Sequence, residues 1–362
     1  MASLSIRTHP VASIVLTSIL LSSLAGTANA GDFYRLTATL SLPSERPNWD
    51  YLALDEAHGH LFIAQRQDGA TVVDIQQQKR VSTIENSSGA NAIALAAPQN
   101  RGFVINGDGS ATVFDLSSLA TINRVSFGKD ADAAAYEPVT AQIVVMMGDS
   151  QAIAFLDAAN GRVNSVLKVA ADKLEAPTPD GQGHFFVTQR HRNSVARFDA
   201  RSRQQIAEWP TTGCDQPTGL NIDSQHQRLF VGCRGHGEHP VLLVMNSQSG
   251  QVISTMPIGR GNDGVVYDAQ AGRVITSNGV DGNLVIYQQT DPDHYTLQEA
   301  TTTRPYARTM AMDHRDGTLY LVTAQGTVDP SKPVNTGPAP FYPNHYFPGT
   351  FTVLTYSDQT EP

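Results

Sequence analysis

A unit of about 40 residues recurs seven times along this chain, and this repeat constrains the fold more than any other feature. Each copy has three short apolar runs separated by turns, and an Asp usually closes the third run. The second runs align best: LFIAQR from Leu61, GFVING from Gly102, QIVVMMGD from Gln142, HFFVTQR from His184, RLFVGCR from Arg228, RVITSNG from Arg273 and TLYLVTA from Thr318. A spacing of about 40 to 45 residues is the length of one four-stranded propeller blade. The sequence therefore predicts an all-β fold, a seven-bladed β-propeller.

The two ends of the repeat array predict how the ring closes. The seventh copy has no fourth run after Thr355, whereas YRLTATLSL from Tyr34 has the alternating pattern of an outer strand. We expect this N-terminal strand to complete the last blade, which leaves no open sheet edge at the seam. Residues 31–362 then form one domain, because a closed ring of repeats can be a single domain at this length.

Residues 1–30 have the features of an export signal. Arg7 supplies a positive charge, residues 11–24 form an apolar stretch that contains serines, and ANA at residues 28–30 is a small-residue cleavage site. A membrane anchor, the alternative, needs a longer apolar core, and no cysteine follows the cleavage site to carry a lipid. We therefore expect a periplasmic or secreted protein that is not inserted in a membrane after cleavage.

The charge balance and the local motifs exclude several classes of function. The chain is acidic, with 34 Asp and Glu against 25 Lys and Arg, and has no basic run suited to a phosphate backbone. We expect no nucleic-acid partner, and we expect a monomer. Gly-x-Ser-x-Gly, P-loop and Cys-x-x-Cys-His motifs do not occur in the sequence, so no local motif supports catalysis.

Cys214 and Cys233 lie at mirrored positions about the turn at residues 224–225, in a hairpin with the arms PTGLNI and RLFVGC. Mirrored positions face each other across two antiparallel strands, and exported chains meet an oxidising compartment, so a disulfide is favoured. A metal-binding thiol pair and two free thiols are the alternatives, although two cysteines alone make a poor metal site.

The repeats resemble the YVTN-type β-propeller repeats, including those of the YncE-like exported proteins. They share the unit length, the apolar second strand followed by a Gly turn, and the third strand ending in Asp. The most similar stretches are GLNIDSQHQRLFVGCR from Gly219, PIGRGNDGVVYD from Pro257 and ARTMAMD from Ala307. The resemblance covers nearly all of residues 33–356 and implies the fold. It implies no substrate, because related propellers serve as binding modules, partner platforms and enzymes.

A ring of polar residues is predicted at the mouth of the central channel. The position five residues before the Asp that closes each first strand is polar in nearly every blade: Asp50, Asn91, Asp132, Leu174 or Glu175, Thr218, Asp263 and Arg308. Hard divalent cations prefer oxygen ligands, which four of these residues offer: Asp50, Asn91, Asp132 and Asp263. This set resembles in outline the axial metal site of gluconolactonase-like propellers, whose motifs are absent here. Direct ligand contact and structural pairing, such as Arg308 with Asp263, are the alternatives.

Arginines on the same face could hold a carboxylate or phosphate group through two hydrogen bonds. Arg308 is the first candidate because it lies on an inner strand, and Arg234, beside the cysteine pair, is the second; Asp263 completes this ligand-binding set. Solvated loop charge is the alternative for each arginine. In the loop GHGEHP, residues 235–240, a His-x-Glu-His arrangement offers metal-type side chains but lacks helical spacing, so a surface loop is the alternative.

The last blade carries a Pro- and aromatic-rich insertion, residues 325–349, which contains six prolines. We expect it to lack secondary structure and to form a preformed lid. Phe341, Tyr342 and Tyr346 are candidates for stacking on a ring-shaped ligand or for docking a partner. The alternative is that they fasten the insertion to the propeller.

These features favour an exported propeller that binds a small anionic or aromatic ligand, or an envelope protein, through the channel mouth and the insertion. The main rival is an enzyme: a metal-assisted lactonase or other hydrolase, or a lyase with His191 or His345 as the base. A purely structural interaction module is the third possibility. A divalent metal is the one cofactor for which the sequence offers ligands.

Overall fold

The computed structural model describes Met1 and residues 33–171, 173–237, 239–333 and 343–359. Seven four-stranded antiparallel sheets surround a central axis, so the predicted seven-bladed β-propeller is confirmed. Residues 2–30 of the predicted export signal lie outside the described residues, and its cleavage stays a prediction. Within the described ranges, no helix has the length and apolar character needed to cross a membrane.

In each of the first six blades the strands follow one another from the axis outward in sequence order. The innermost strands of blades 1 to 7 are Leu52–Asp55, Ala90–Ala96, Ala131–Glu137, Leu174–Pro179, Pro217–Asp223, Asn262–Asp268 and Met310–Met312. The second strands are His60–Ala64, Arg101–Asn106, Gln142–Met147, His184–Gln189, Arg228–Cys233, Arg273–Asn278 and Leu319–Thr323. The third strands are Ala70–Asp74, Ser110–Asp115, Ala152–Asp157, Ser194–Asp199, Val241–Asn246, Asn283–Asp291 and Thr352–Gln359. The outer strands are Lys79–Thr83, Thr121–Ser126, Val163–Lys168, Gln204–Pro210, Val252–Pro257, His294–Thr302 and, in blade 7, Phe33–Ser41.

The N-terminal strand closes the ring as expected. Phe33–Ser41 pairs antiparallel with Thr352–Gln359, and Leu40 lies opposite Val353. The hydroxyl of Tyr34 also donates to the carbonyl of Gly317 at 3.0 Å, and its backbone N–H donates to Glu299 at 2.9 Å. The seam therefore combines a backbone ladder, interrupted by one bulge between Leu36 and Ala38, with a contact to Glu299 of the neighbouring sixth blade.

The apolar core lies between the blades. The described residues contain seven clusters of buried apolar side chains, one at each interface between neighbouring blades. The second and third strands read as nearly continuous apolar runs because both of their faces are covered by adjacent blades. The cluster at the seam contains Trp49, Leu61 and Val353, all at most 3% exposed. Each fully buried large side chain of this kind contributes roughly 1.5–3 kcal/mol.

The Asp at the end of the third strand has a structural role. In blade 1, Asp74 Oδ1 accepts the backbone N–H groups of Gln76 at 2.9 Å and Gln77 at 2.8 Å. Asp115 accepts those of Ser117 and Ser118 in the same way in blade 2. A short carboxylate side chain thus satisfies the donors of the tight turn that follows, which accounts for the recurrence of Asp at this position.

The predicted disulfide between Cys214 and Cys233 is confirmed, with the two Cα atoms 5.5 Å apart. The expected position of Cys214 was wrong. Pro217, and not Cys214, lies opposite Cys233 across the two strands, and Cys214 lies in the turn before the inner strand. The bond therefore fastens a connecting loop of blade 5 to its second strand.

The insertion in blade 7 has more structure than the sequence predicted. Gly326–Thr327 and His345–Tyr346 form a short antiparallel pair. Single-turn 3-10 helices occur in three other loops: Ala97–Gln99, Arg190–Arg192 and Gly235–Gly237.

Candidate functional site

A polar cavity of about 850 Å³ opens at one end of the central channel. This end carries the loops that lead into the innermost strands and the turns between second and third strands. It is the end at which the sequence predicted the ring of polar residues. All seven blades contribute described residues to its lining. Its volume falls in the range that is usual for small-molecule sites.

An irregularity of the inner strands explains why polar side chains reach the channel. In blades 2 to 6 the pairing between first and second strands shifts register at the residue where the predicted ring lies. In blade 2 the shift spans Ala90 and Ala92 and leaves Asn91 unpaired; in blade 3 it leaves Asp132 unpaired. A bulge of this kind frees one side chain from the alternation of the strand and redirects it.

Most residues of the predicted ring come together in this cavity. Its described lining includes six of the positions identified from the sequence: Asp50, Asn91, Asp132, Glu175, Asp263 and Arg308. Thr218 does not join them: its side chain is fully buried and donates to the carbonyl of Gln216 at 3.1 Å. Whether the assembled residues bind a ligand stays a prediction.

The two candidate ligand-binding arginines share one carboxylate. Arg308 Nε donates to Asp263 Oδ2 at 2.9 Å, and Arg234 donates to Asp263 Oδ1. Arg234 Nε also donates to the carbonyl of Asn262 at 3.0 Å. This arrangement is the structural pairing that the sequence left open as an alternative.

Arg308 is also held by the aromatic residue at the seam. Its Nη2 donates to the carbonyl of Trp49 at 2.6 Å, and its guanidinium lies 5.3 Å from the centre of the Trp49 ring. The same nitrogen is 3.7 Å from Asp50, whose other oxygen accepts a hydrogen bond from Arg66. Arg66 donates to Asn91 as well, so the network continues from blade 7 through blade 1 to blade 2.

Burial shifts the ionisation of the carboxyl groups in the cavity. It raises the pKa of Asp50 to about 6, although Arg66 and Arg308 act in the opposite direction. Burial also raises the pKa of Glu175, against the effect of Arg190 at 2.9 Å. The cavity therefore concentrates negative charge in a poorly solvated place, which is typical of functional sites.

Asp132 differs from the other ring carboxylates in how its charge is compensated, because Arg66 and Lys173 act on it without being direct ion-pair partners. Among the described residues, no Lys, Arg or His lies within ion-pair distance of it, and Asn91 Nδ2 donates to it at 3.4 Å. Burial and the neighbouring charge of Glu175 raise the pKa of Asp132 to about 6.

Tyr51 is a residue of the cavity that the sequence analysis missed. It belongs to blade 1, yet its ring packs against the apolar clusters on both sides of blade 3, so it crosses the channel. Burial raises the pKa of its hydroxyl well above the usual range, and the charges of Glu175 and Asp263 add to this effect. A signal was present: the position after each ring residue is small in the other blades, namely Ala92, Ala133, Ala176, Gly219, Gly264 and Thr309.

The candidate catalytic histidines are not at the cavity. Neither His191 nor His345 is among the described residues that line it. His191 lies in the 3-10 helix Arg190–Arg192, and His345 Nδ1 is 3.1 Å from Lys332 Nζ. A catalytic role for either residue stays a prediction without geometric support.

The candidate metal ligands do not converge on one point. In the part of the chain that the structure describes, no three or more His, Cys, Asp or Glu side chains are grouped as a metal ion would require. Asp50 and Asp263 instead face arginines. In the loop of residues 235–240, His236 Nδ1 contacts Gln216 at 3.0 Å, and Glu238 lies outside the described residues.

The aromatic candidates of the insertion divide into two groups. Tyr346 lines the cavity, and its ring centre is 5.0 Å from that of Trp49 and 6.2 Å from that of Tyr306. These contacts fasten the insertion to the seam. Phe341 and Tyr342 lie outside the described residues, so their role as ligand or partner contacts stays a prediction.

Comparisons with known proteins show the fold and nothing finer. No known family model matches this chain, and no curated protein matches it. Among solved structures, it is similar to the RRP9 WD40 repeats (TM-score 0.70, 8% identity, 90% of this chain and 100% of that chain). It is also similar to the hydrazine synthase of Kuenenia stuttgartiensis (TM-score 0.66, 14% identity, 77% and 94%) and to U3-55K (TM-score 0.68, 9% identity, 87% and 98%). At these identities the likeness shows the propeller fold alone.

Proposed function

We propose that this chain is an exported recognition protein of the YVTN-type, YncE-like kind that binds a small charged metabolite in the channel cavity. A propeller fold suits a binding or recognition role. The observation that carries the proposal is the cavity itself, about 850 Å³ in volume and lined by charged side chains from a closed ring of blades. A carboxylate or an aromatic ring on the ligand would meet Arg308 and Tyr346 at the blade 7 side of the cavity.

Two observations support export to the periplasm or the cell exterior. Cys214 and Cys233 form a disulfide, and such bonds persist in oxidising compartments. Residues 1–30 have the charge and the cleavage-site pattern of a secretory signal. Both features fit a protein that meets its ligand outside the cytoplasm.

An envelope protein that docks on the insertion is the second candidate. Phe347 favours it, because this residue follows the short strand His345–Tyr346 and leaves 41% of its surface exposed. An exposed aromatic side chain beside a cavity is a common anchor for a partner. We do not propose the lyase, because neither of its candidate bases is among the described residues that line the cavity. We do not propose the metal-assisted hydrolase, because the described residues hold no group of three or more His, Cys, Asp or Glu side chains suited to a metal ion.

The test is to purify the mature protein from its native envelope and to identify co-purified small molecules by mass spectrometry. Their binding is then measured by calorimetry to the parent and to Gly107→Phe. Gly107 lines the cavity, so a phenyl ring there would take up cavity space, and its Cβ would lie 3.2 Å from Asn91 Nδ2, which has to shift by a few tenths of an ångström. The size-matched control is Gln76→Phe, at an exposed turn.

We expect Gly107→Phe to lose ligand binding while the melting temperature and the β-sheet circular dichroism stay close to those of the parent. Gln76→Phe should bind as the parent does. Equal binding by Gly107→Phe, or no bound molecule in any preparation, would contradict a ligand site in the cavity.

A further inference from the structure

The charges that line the cavity do not balance. Its described lining carries seven carboxyl side chains: Asp50, Asp108, Asp130, Asp132, Asp149, Glu175 and Asp263. It carries five cationic side chains: Arg66, Lys173, Arg190, Arg234 and Arg308. Because carboxyl groups outnumber cationic groups in the lining, a positively charged ligand would reduce the repulsion among the carboxylates.

Each cationic side chain of the lining is already engaged with a carboxylate. The pairs are Arg66 with Asp50, Lys173 with Asp149, Arg190 with Glu175, and both Arg234 and Arg308 with Asp263. A purely anionic ligand would have to compete with these carboxylates for the same donors. The arginines therefore set the shape and rigidity of the cavity more than they present open anion sites.

Asp108 of the lining pairs with Arg124, which lies outside it, at 2.7 Å, so Asp130 and Asp132 are the lining carboxylates without an ion pair in the described residues. The excess negative charge is therefore located chiefly at Asp132. Its neighbour Asp130 uses both carboxylate oxygens on Ser150, accepting from the backbone N–H at 2.6 Å and from the hydroxyl. Asp132 receives one long hydrogen bond from Asn91, at 3.4 Å. A half-buried carboxylate with so little compensation is costly unless a bound group supplies the missing positive charge.

Tyr51 supplies a second polar group to the same space. Tyr51 lines the cavity, the charges of Glu175 and Asp132 act on its hydroxyl, and the hydrogen bonds found among the described residues do not use that hydroxyl. Because its pKa is raised, the hydroxyl stays neutral and can accept from an ammonium group or donate to another ligand atom.

We propose that the ligand of this cavity carries a protonated primary amine, with Asp132 as its counter-charge and the Tyr51 hydroxyl as a further hydrogen-bond partner. An ammonium group has three donors and no acceptor, which matches a carboxylate beside a hydroxyl oxygen. The inference rests on the proposed function, because it names the ligand class of the same site.

The experiment measures, by calorimetry, the binding of three amines to the mature protein: ethanolamine, 1,4-diaminobutane and 4-aminobutanoate. Each amine is compared with its N-acetyl derivative, which keeps most of the structure and removes the positive charge of one nitrogen. The variant is Asp132→Asn, which keeps the size of the side chain and its contact with Asn91. The control variant is Asp115→Asn, at a turn far from the cavity, where Asp115 pairs with Arg101.

We expect at least one amine to bind, and its N-acetyl derivative and the Asp132→Asn variant to weaken that binding at least about tenfold, as the loss of a charge-assisted hydrogen bond does. Asp115→Asn should bind within about twofold of the parent. Equal affinity for amines and N-acetyl derivatives, or unchanged binding by a folded Asp132→Asn, would overturn the inference. If none of the amines binds, but the co-purified molecules are uncharged or anionic and Gly107→Phe abolishes their binding, the inference fails and the proposed function stands. If neither an amine nor any co-purified molecule binds, both fail.

Discussion

Replacing Asp132 with Asn should make the empty protein more stable at neutral pH. The folded state raises the pKa of Asp132 from its ordinary value of 3.8 to about 6, chiefly through burial. A carboxyl group whose pKa is higher in the folded state stabilises the fold when it is protonated, below pH 3.8, and loses that contribution as the pH rises through 6. Each pKa unit is worth 1.36 kcal/mol, so two units correspond to roughly 3 kcal/mol. Because Asp132 is in part exposed to the cavity, we expect a gain of about 2 kcal/mol at pH 7.5.

The measurement is urea unfolding of the parent and of Asp132→Asn at pH 7.5 and at pH 4. The chain contains two tryptophans, Trp49 at the seam and Trp209 in blade 4, so fluorescence reports on two parts of the ring. The gain in the free energy of unfolding should be much smaller at pH 4, because Asp132 is then protonated in the folded protein and already partly protonated in the unfolded chain. Stability is obtained by linear extrapolation to zero urea.

Asp115→Asn is the control of opposite sign. Hydrogen bonds from Ser118, together with Arg101, hold the pKa of Asp115 below its usual range, so loss of this carboxylate should reduce stability at pH 7.5. The reasoning about Asp132 would be refuted if Asp132→Asn were less stable than the parent at pH 7.5, or if its gain were the same at pH 4. Either outcome would mean that the charge of Asp132 is compensated in the folded protein.

Three further predictions concern the scaffold. The double variant Cys214→Ala/Cys233→Ala should lose about 3 kcal/mol in the free energy of unfolding, because the disulfide joins cysteines 19 residues apart. A reducing agent should destabilise the parent by a similar amount and leave the stability of the variant unchanged. Equal stability of the oxidised and the reduced parent would contradict this prediction. Deleting residues 33–41 exposes the edge of Thr352–Gln359, so size-exclusion chromatography should show aggregates; a monomer with the parent's melting temperature would argue against ring closure by that strand. The intact mass of the exported protein should equal that of a chain beginning at Gly31. A mass that includes residues 1–30 would exclude cleavage.

The propeller could be predicted from the sequence because the apolar runs recur at the same spacing as the blades of the structure. The second and third strands are buried on both faces, so they appear as apolar runs at even spacing. Closure by the N-terminal strand followed from a missing fourth run after Thr355 and an unassigned strand at Tyr34. The short pair Gly326–Thr327 and His345–Tyr346 was not predicted, because two residues on each side are too few to form a pattern.

The sequence could predict where the site residues lie, but it could not predict which hydrogen bonds and ion pairs they make. A fixed offset from the closing Asp places residues of different blades at one height along the axis, so Asp50, Asp132 and Asp263 reach one cavity. Their partners could not be found in this way. Arg66 lies in a turn after the second strand of its blade, and its contacts with Asp50 and Asn91 depend on how neighbouring blades pack. The bulges that redirect the ring residues likewise depend on backbone geometry.

The joining of Phe33–Ser41 to Thr352–Gln359 also sets the order of assembly. These two segments lie far apart in the sequence, so Phe33–Ser41 has no partner until Thr352–Gln359 has been synthesised. Contacts of such large sequence separation form slowly, since a long loop must close before they stabilise anything. Until then Phe33–Ser41 can pair with the sheet edges of other molecules. A chain truncated before Thr352 leaves Phe33–Ser41 without its partner strand.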